Sequence, residues 1–466
     1  MIYNMIRLHS EIVKEEFILK KLTDGNIYKT FILFAIPLVL AGILSQGYNM
    51  IDTVIAGKVL GSDGLAATGA SAAFLTFLTS VFWGYCNGFS IYVARLYGAN
   101  EYKELKSAIV NNVVMVFIVG ILIAVLVFIF RESIMDFLKV AADIRHQAMI
   151  YMLVYTAGLC FIASSANFVY IMNALGSAGY PFAVSVVSAF INVGGNIFTL
   201  VVLGWGVSGV AVSTVLSAVV ADIMYIVRIR KCFRELGVDK HRVKFSKQTF
   251  KRSFVYSGNT MIQQMVMYLS TVMISPLVNG IGSSATAAYN VVTKIYDINA
   301  GIFQNSSKTL SNYIAQCIGA GRLNTIKKGL YVGLLQGTVL LLPVLLLCIC
   351  FSDEVCRMFF PVGFNGEALD LSIIFVKLYL PFILLCMINN LFHSFFRGTA
   401  SMSLLVIATT IGAGSRLLLS FILAPKMGMN GIYLAWVLSW AIELVYALTV
   451  YFMGLWKKTI NTDPMG

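Results

Sequence analysis

Along most of this chain the hydrophobic positions show no preferred face. Runs such as Val113 to Phe130 and Leu334 to Phe351 are apolar all round a helix, whereas the strands of a membrane barrel would alternate apolar and polar residues. Each run approaches the length a helix needs to cross roughly 30 Å of hydrocarbon. Divided at charged residues and at Gly/Pro breaks, the pattern predicts twelve helical spans. They fall at 28–56, 64–93, 108–130, 148–175, 181–203 and 206–229, then at 254–279, 285–315, 330–351, 372–397, 402–424 and 430–455. The expected organisation is a lead-in at 1–27, a first lobe at 28–229, a linker at 230–253, a second lobe at 254–455 and a tail at 456–466.

A repeat runs through this pattern. GSDGLAATG from Gly61 reappears as GSSATAAYN from Gly282. The same offset pairs Ala94, Gly98 and Ala99 with Ala315, Gly319 and Ala320. An offset longer by one position pairs GVSGVAVSTVLS from Gly206 with GMNGIYLAWVLS from Gly428. Matches that include loop glycines exceed what apolar helices share by accident. Halves with an even number of spans enter the membrane from the same side, and an axis along the membrane normal relates them. The predicted fold is an all-α membrane protein of twelve transmembrane helices, in two six-helix pseudo-symmetric lobes around a central cleft suited to alternating access.

Charge orients the chain. Arg228 to Arg252 holds ten Lys or Arg against Glu235 and Asp239, which places this linker, and with it both termini, on the cytoplasmic side. Arg95, Lys103 and Lys106, then Arg322, Lys327 and Lys328, then Lys457 and Lys458 fall on that side as well. Glu132, Asp136, Asp143, Asp353, Glu354, Glu367 and Asp370 fall on the other.

Composition then narrows the function. The chain is 466 residues long, 59% hydrophobic and 12% charged, too apolar for a soluble domain of that size and suited to a lipid bilayer. A net charge of +13 arises from one-sided basic loops and does not indicate nucleic acid. The eight cysteines have no metal-ligand spacing, and Met1 to Asn26 lacks a signal-peptide core. No glycine loop with lysine is present to cradle a phosphate. The histidines at 9, 146, 241 and 393 form no catalytic cluster, so no enzyme and no cofactor are expected.

Ionisable groups inside spans are costly and mark function. Asp52 stands near the outer end of the first span among Ile, Val, Ala and Met, downstream of Pro37. A carboxylate there must be protonated, bind a cation or pair with a base. Pro37 removes a backbone hydrogen bond and can bend the span, which makes it a candidate conformational hinge. Lys294 and Asp297, three apart, are expected to neutralise each other. Arg416 is a candidate to line the central cleft, and His393, alone in its span, reads as a packed or hydrogen-bonded residue.

With LSQGYNMIDTVIAGKVLGSDGLAATG from Leu44 to Gly69, the GAN segment after the second span and GAGRLNTIKKGL after the eighth, the chain resembles the multidrug and toxic compound extrusion (MATE) family over residues 28–455. The resemblance implies export of bulky, often cationic and amphipathic compounds by a bacterial inner-membrane protein, acting as a monomer in exchange for protons or sodium ions. It also implies a cation site in the first lobe, built from an acid of the first span and polar residues of the fifth and sixth. Here those residues are Asp52, Asn192 and Asn196, the asparagines four apart on one helical face, and Thr214, with Tyr151 of the fourth span beside them. Many relatives carry an aspartate where this chain has Asn196, so Asp52 holds the only formal charge of the site, and its coupling ion stays open between proton and sodium. The seventh and tenth spans, where another branch of the family keeps its cation ligands, contain no acid. A flippase for lipid-linked sugar precursors shares the two-lobe plan and is the alternative; it is disfavoured by twelve spans and few central cations.

Overall fold

The structure is a computed structural model that describes residues 21–361 and 363–462. Among these residues it contains helices and turns and no strand. The first helix, α1 (Ile27–Gly98), carries two spans in succession. Its backbone leaves helical geometry at Gly61, with φ 69°, a value that glycine adopts without the clash a Cβ would bring. It stays helical through Pro37. The first lobe's remaining helices are α2 (Tyr102–Ile129), α3 (Arg131–Phe137), α4 (Arg145–Ala157), α5 (Leu159–Ala174), α6 (Gly179–Ile197) and α7 (Val207–Glu235). The second half follows with α8 (Lys247–Ile281), α9 (Ser283–Gly319), α10 (Ile326–Cys350), α11 (Ser352–Arg357), α12 (Glu367–Ile374), α13 (Ile383–Gly398), α14 (Met402–Met427), α15 (Met429–Phe452) and α16 (Leu455–Thr462).

Among the described residues, ten helical segments are long and apolar enough to cross a bilayer, and α4 with α5, bent by 50° at Gly158, makes an eleventh. The twelfth expected span is α9. Its 37 residues are long enough, but it buries Asn299, Ser306, Ser307, Thr309, Asn312 and Gln316 against protein, which lowers its hydropathy below that of a lipid-facing helix. The opposite case is α2, whose Val114, Ile118, Ile121, Leu122, Val125 and Leu126 are all exposed. An apolar stripe of that size belongs against lipid.

Two compact units divide the chain, Leu40–Met261 and Leu22–Val39 with Ile262–Gly466, Lys21 grouping with the former. They depart from the expected lobes, 28–229 and 254–455, at two places. The first turns of α1 belong to the second unit: Leu22 N–H donates to Gln316 Oε1 at 2.7 Å, Gln336 Nε2 donates to the Phe31 carbonyl at 3.0 Å, and the Phe31 ring meets Tyr313 edge-on at 5.1 Å. The first turns of α8 belong to the first unit. There Arg95 donates to Tyr256 Oη at 3.1 Å, and Gly88 lets Ser257 and Thr260 come so close that a Cβ would stand 2.7 Å from Ser257 Cα. The linker is also shorter than the expected 230–253, since helix continues to Glu235 and resumes at Lys247. The stretch between is pinned by the buried Lys106, whose ammonium donates to the carbonyls of Val238, Asp239 and His241 at 3.0, 2.7 and 2.8 Å. The lead-in lies outside the described residues up to residue 20, and the tail from residue 463.

Candidate functional site

Close packing of α6 against α7 sets the site. At Gly195 a Cβ would stand 3.0 Å from Ser213 Oγ, and at Gly209 one would stand 2.8 Å from Thr199 Oγ1. The two glycines therefore let the helix backbones approach. Thr199 and Ser213 join hydroxyls at 3.2 Å between them, and Thr199 Oγ1 also donates to the Gly195 carbonyl at 2.8 Å. A π-helical turn, Phe198–Val202, follows α6 directly; such turns recur at functional positions because they re-aim the residues beside them.

This frame holds Asn192 and Asn196, both almost fully buried, toward Asp52 on α1. Asn196 Nδ2 donates to Asp52 Oδ1 at 2.7 Å. The Asn192 amide stands 2.7 Å from both oxygens of Asp52 and donates to both when its nitrogen is turned to the carboxylate. Turned the other way, that nitrogen donates to Thr214 Oγ1 at 3.3 Å, and the Thr214 hydroxyl donates to the Val210 carbonyl at 3.1 Å. Which orientation holds is a question of where the protons are. An ionised Asp52 needs the amide nitrogen, whereas a protonated Asp52 can donate to the amide oxygen. Among the described residues no basic side chain lies within salt-bridge distance of Asp52, and the buried Asn196 Oδ1 has no hydrogen-bond partner.

The expected residues thus divide. Asp52, Asn192, Asn196 and Thr214 form one connected hydrogen-bonding group. Tyr151 packs with Ile55 and Leu60 against Leu200 and Val210, its ring centroid 6.2 Å from that of Tyr155, and makes no hydrogen bond to Asp52. Pro37 is buried and lies just before the point at which the chain passes from one compact unit to the other. Arg416 is held within the second unit: it donates to Ser270 Oγ and Thr271 Oγ1, each at 3.1 Å, and its guanidinium lies 5.9 Å from the Trp436 ring centroid. Lys294 and Asp297 are both exposed on α9. Their charges interact through space, but no salt bridge joins them, so the expected neutralisation is incomplete.

The scaffold residues Gly195, Thr199, Gly209 and Ser213 went unrecognised in the sequence. Their one visible signal was the glycine pair in INVGGNI, since adjacent glycines inside a helix need a packing reason. Glu443 was likewise left without a partner. Its side chain meets His393 Nε2 at 2.8 Å, a pairing concealed by a separation of 50 residues.

The sequence profile of the MatE family matches residues 37–198 and 259–422. The chain is 24% identical to "Probable multidrug resistance protein YoeA" of Bacillus subtilis (strain 168), over 75% of this chain and 77% of that protein. It is 20% identical to "Probable multidrug resistance protein YpnP" of the same organism, over 93% and 97%. In fold it superposes on a solved outward-facing multidrug resistance MATE family transporter with a TM-score of 0.84 at 17% identity, covering 94% of this chain and 96% of the other.

Proposed function

The chain belongs to the MatE family of multidrug efflux transporters, and on that premise we propose that it exports organic, often cationic and amphipathic compounds in exchange for protons carried by Asp52. The observation that carries this reading is the grip on Asp52 by Asn192 and Asn196, each 2.7 Å away, with no basic partner among the described residues. An uncompensated charge in a membrane protein is held at high cost; two amide donors lower that cost without cancelling the charge. The group therefore keeps the capacity to accept a proton.

The donor set also bears on the ion. One carboxylate, two amides and a hydroxyl offer enough oxygen for sodium. Asn196, however, turns its nitrogen and not its oxygen toward Asp52. An N–H dipole aimed at the carboxylate stabilises an anion, and in this orientation the amide offers Asp52's side no oxygen for a cation, which favours proton exchange. Protonation would reverse the Asn192 amide: the new O–H of Asp52 would donate to its oxygen, and its nitrogen would pass to Thr214. The α6–α7 frame would then read the state of α1 through a single side chain.

In a bacterial host made hypersensitive to drugs, the wild-type chain is expected to lower accumulation of a fluorescent organic cation. Asp52→Asn, at equal membrane abundance, is expected to leave accumulation at the level of the empty host. Wild-type efflux by that variant would remove Asp52 from the mechanism.

A further inference from the structure

A second acid is buried in the second unit, apart from the Asp52 site. Glu443 on α15 is 7% exposed and His393 on α13 is 6% exposed. Glu443 Oε1 lies 2.8 Å from His393 Nε2, and Asn389, one turn earlier on α13, donates to Glu443 Oε2 at 3.4 Å and to the Trp440 carbonyl at 2.8 Å. The third wall is α14. At Gly412 an added Cβ would stand 2.5 Å from Glu443 Oε2 and 2.7 Å from its Cδ, so the carboxylate occupies the space that any side chain at 412 would need. Three helices thus form a niche shaped to one carboxylate. Asn389 Oδ1, itself buried, has no hydrogen-bond partner among the described residues.

We propose that His393, Glu443 and Asn389 form a second proton-binding site in this transporter, one that loads and unloads independently of Asp52. A neutral imidazole beside a carboxylate carries one net negative charge. Uptake of one proton, on the free imidazole nitrogen or on the carboxylate, removes that net charge while the hydrogen bond between the two side chains persists. Both states are therefore accommodated by one geometry. Burial penalises the charged state. Charged and titratable groups on the packed helices include Cys386 and Arg397 on α13, Arg416 and Lys426 on α14, Lys294, Tyr296, Asp297 and Lys308 on α9 and Cys348 on α10. Cys386 interacts electrostatically with both Glu443 and Arg416 and shares a 3.4 Å hydrogen bond with Tyr296. Among the described residues His393 is the only basic side chain within salt-bridge distance of Glu443. A pair serving only as a clamp would stay in one protonation state; a pair that carries protons must change state.

The test counts protons on the purified, detergent-solubilised full chain. Net uptake between an alkaline and an acidic pH is measured with an indicator dye for wild type, Glu443→Gln, Asp52→Asn and the double variant. Without the carboxylate to balance it, a charged imidazole at this buried position is penalised, so Glu443→Gln is expected to bind about one proton fewer than wild type, and the double variant about one fewer than Asp52→Asn. Uptake by Glu443→Gln equal to that of wild type would overturn the proposal, whatever becomes of the Asp52 site. Because the substitution removes a buried partner and can cost the variant its fold, a second measurement keeps the native pair. With His9, His146 and His241 changed to Gln, the nitrogen resonances of ¹⁵N-labelled His393 are expected to shift over the same pH range as the uptake. Resonances that stay fixed through that range would make the pair a static clamp. Loss of the uptake when sodium, but not potassium, is added would overturn the assignment of the proton as its ligand.

Discussion

Asp52, Asn192, Asn196 and Thr214 do not share the work equally. Asn192 and Asn196 each contact the carboxylate at 2.7 Å, while Thr214 reaches only Asn192, at 3.3 Å. Removing a donor to a charged group costs about 1.5–3 kcal/mol, roughly a tenfold or larger effect on an equilibrium. Efflux rates in vesicles should fall most for Asp52→Asn, strongly for Asn192→Ala and Asn196→Ala, and least for Thr214→Ala. A Thr214→Ala rate as low as that of Asp52→Asn, with Asn196→Ala unaffected, would reverse this order. Asp52 was legible in the sequence because a charge among Ile, Val and Met has few explanations, and the two asparagines through the family resemblance, which points to polar residues of the fifth span; their spacing then places them on one face. The hydrogen bonds were not legible: the same four residues could lie a turn apart if α1 were rotated. Tyr151 shows that limit, since it packs against aliphatic side chains and the Tyr155 ring and no bond ties it to Asp52.

At the scale of elements, the site depends on how closely α6 and α7 approach. Gly209→Val would drive its Cβ to within 2.8 Å of Thr199 Oγ1 and break the hydroxyl pair with Ser213. Overpacking of this kind costs about 1–3 kcal/mol, so the thermal unfolding temperature of the purified protein and its efflux rate should fall together. Gly194, next to the crowded Gly195, meets nothing within 4 Å. Gly194→Ala should therefore leave both intact or raise stability, by up to about 1 kcal/mol; a loss as large as that of Gly209→Val would refute this picture of the packing. The spans themselves could be read from hydropathy, because lipid demands it of helices such as α2. A protein-facing helix such as α9 answers to its neighbours instead, so its hydropathy is weaker, although the breaks on either side still bounded it at 285–315. Exchange of helix turns between the compact units was hidden, because a span has no mark in sequence showing which bundle each of its turns packs against.

For the whole molecule, duplication set the architecture but not the chemistry. The two halves keep the same glycines at an offset that changes by only one position, yet the first holds an acid gripped by amides and the second an acid held by a histidine. The proposed antiport exchanges ion for substrate, so its proton coupling would be a property of the complete transport cycle and not of Asp52 alone. It is tested most directly in proteoliposomes loaded with a fluorescent organic cation, with either a proton or a sodium gradient imposed alone. An inward proton gradient is expected to drive the dye out through the wild-type protein, a sodium gradient is not, and Asp52→Asn is expected to abolish the proton-driven flux. Efflux driven by sodium alone, or proton-driven efflux that survives Asp52→Asn, would contradict proton exchange at Asp52.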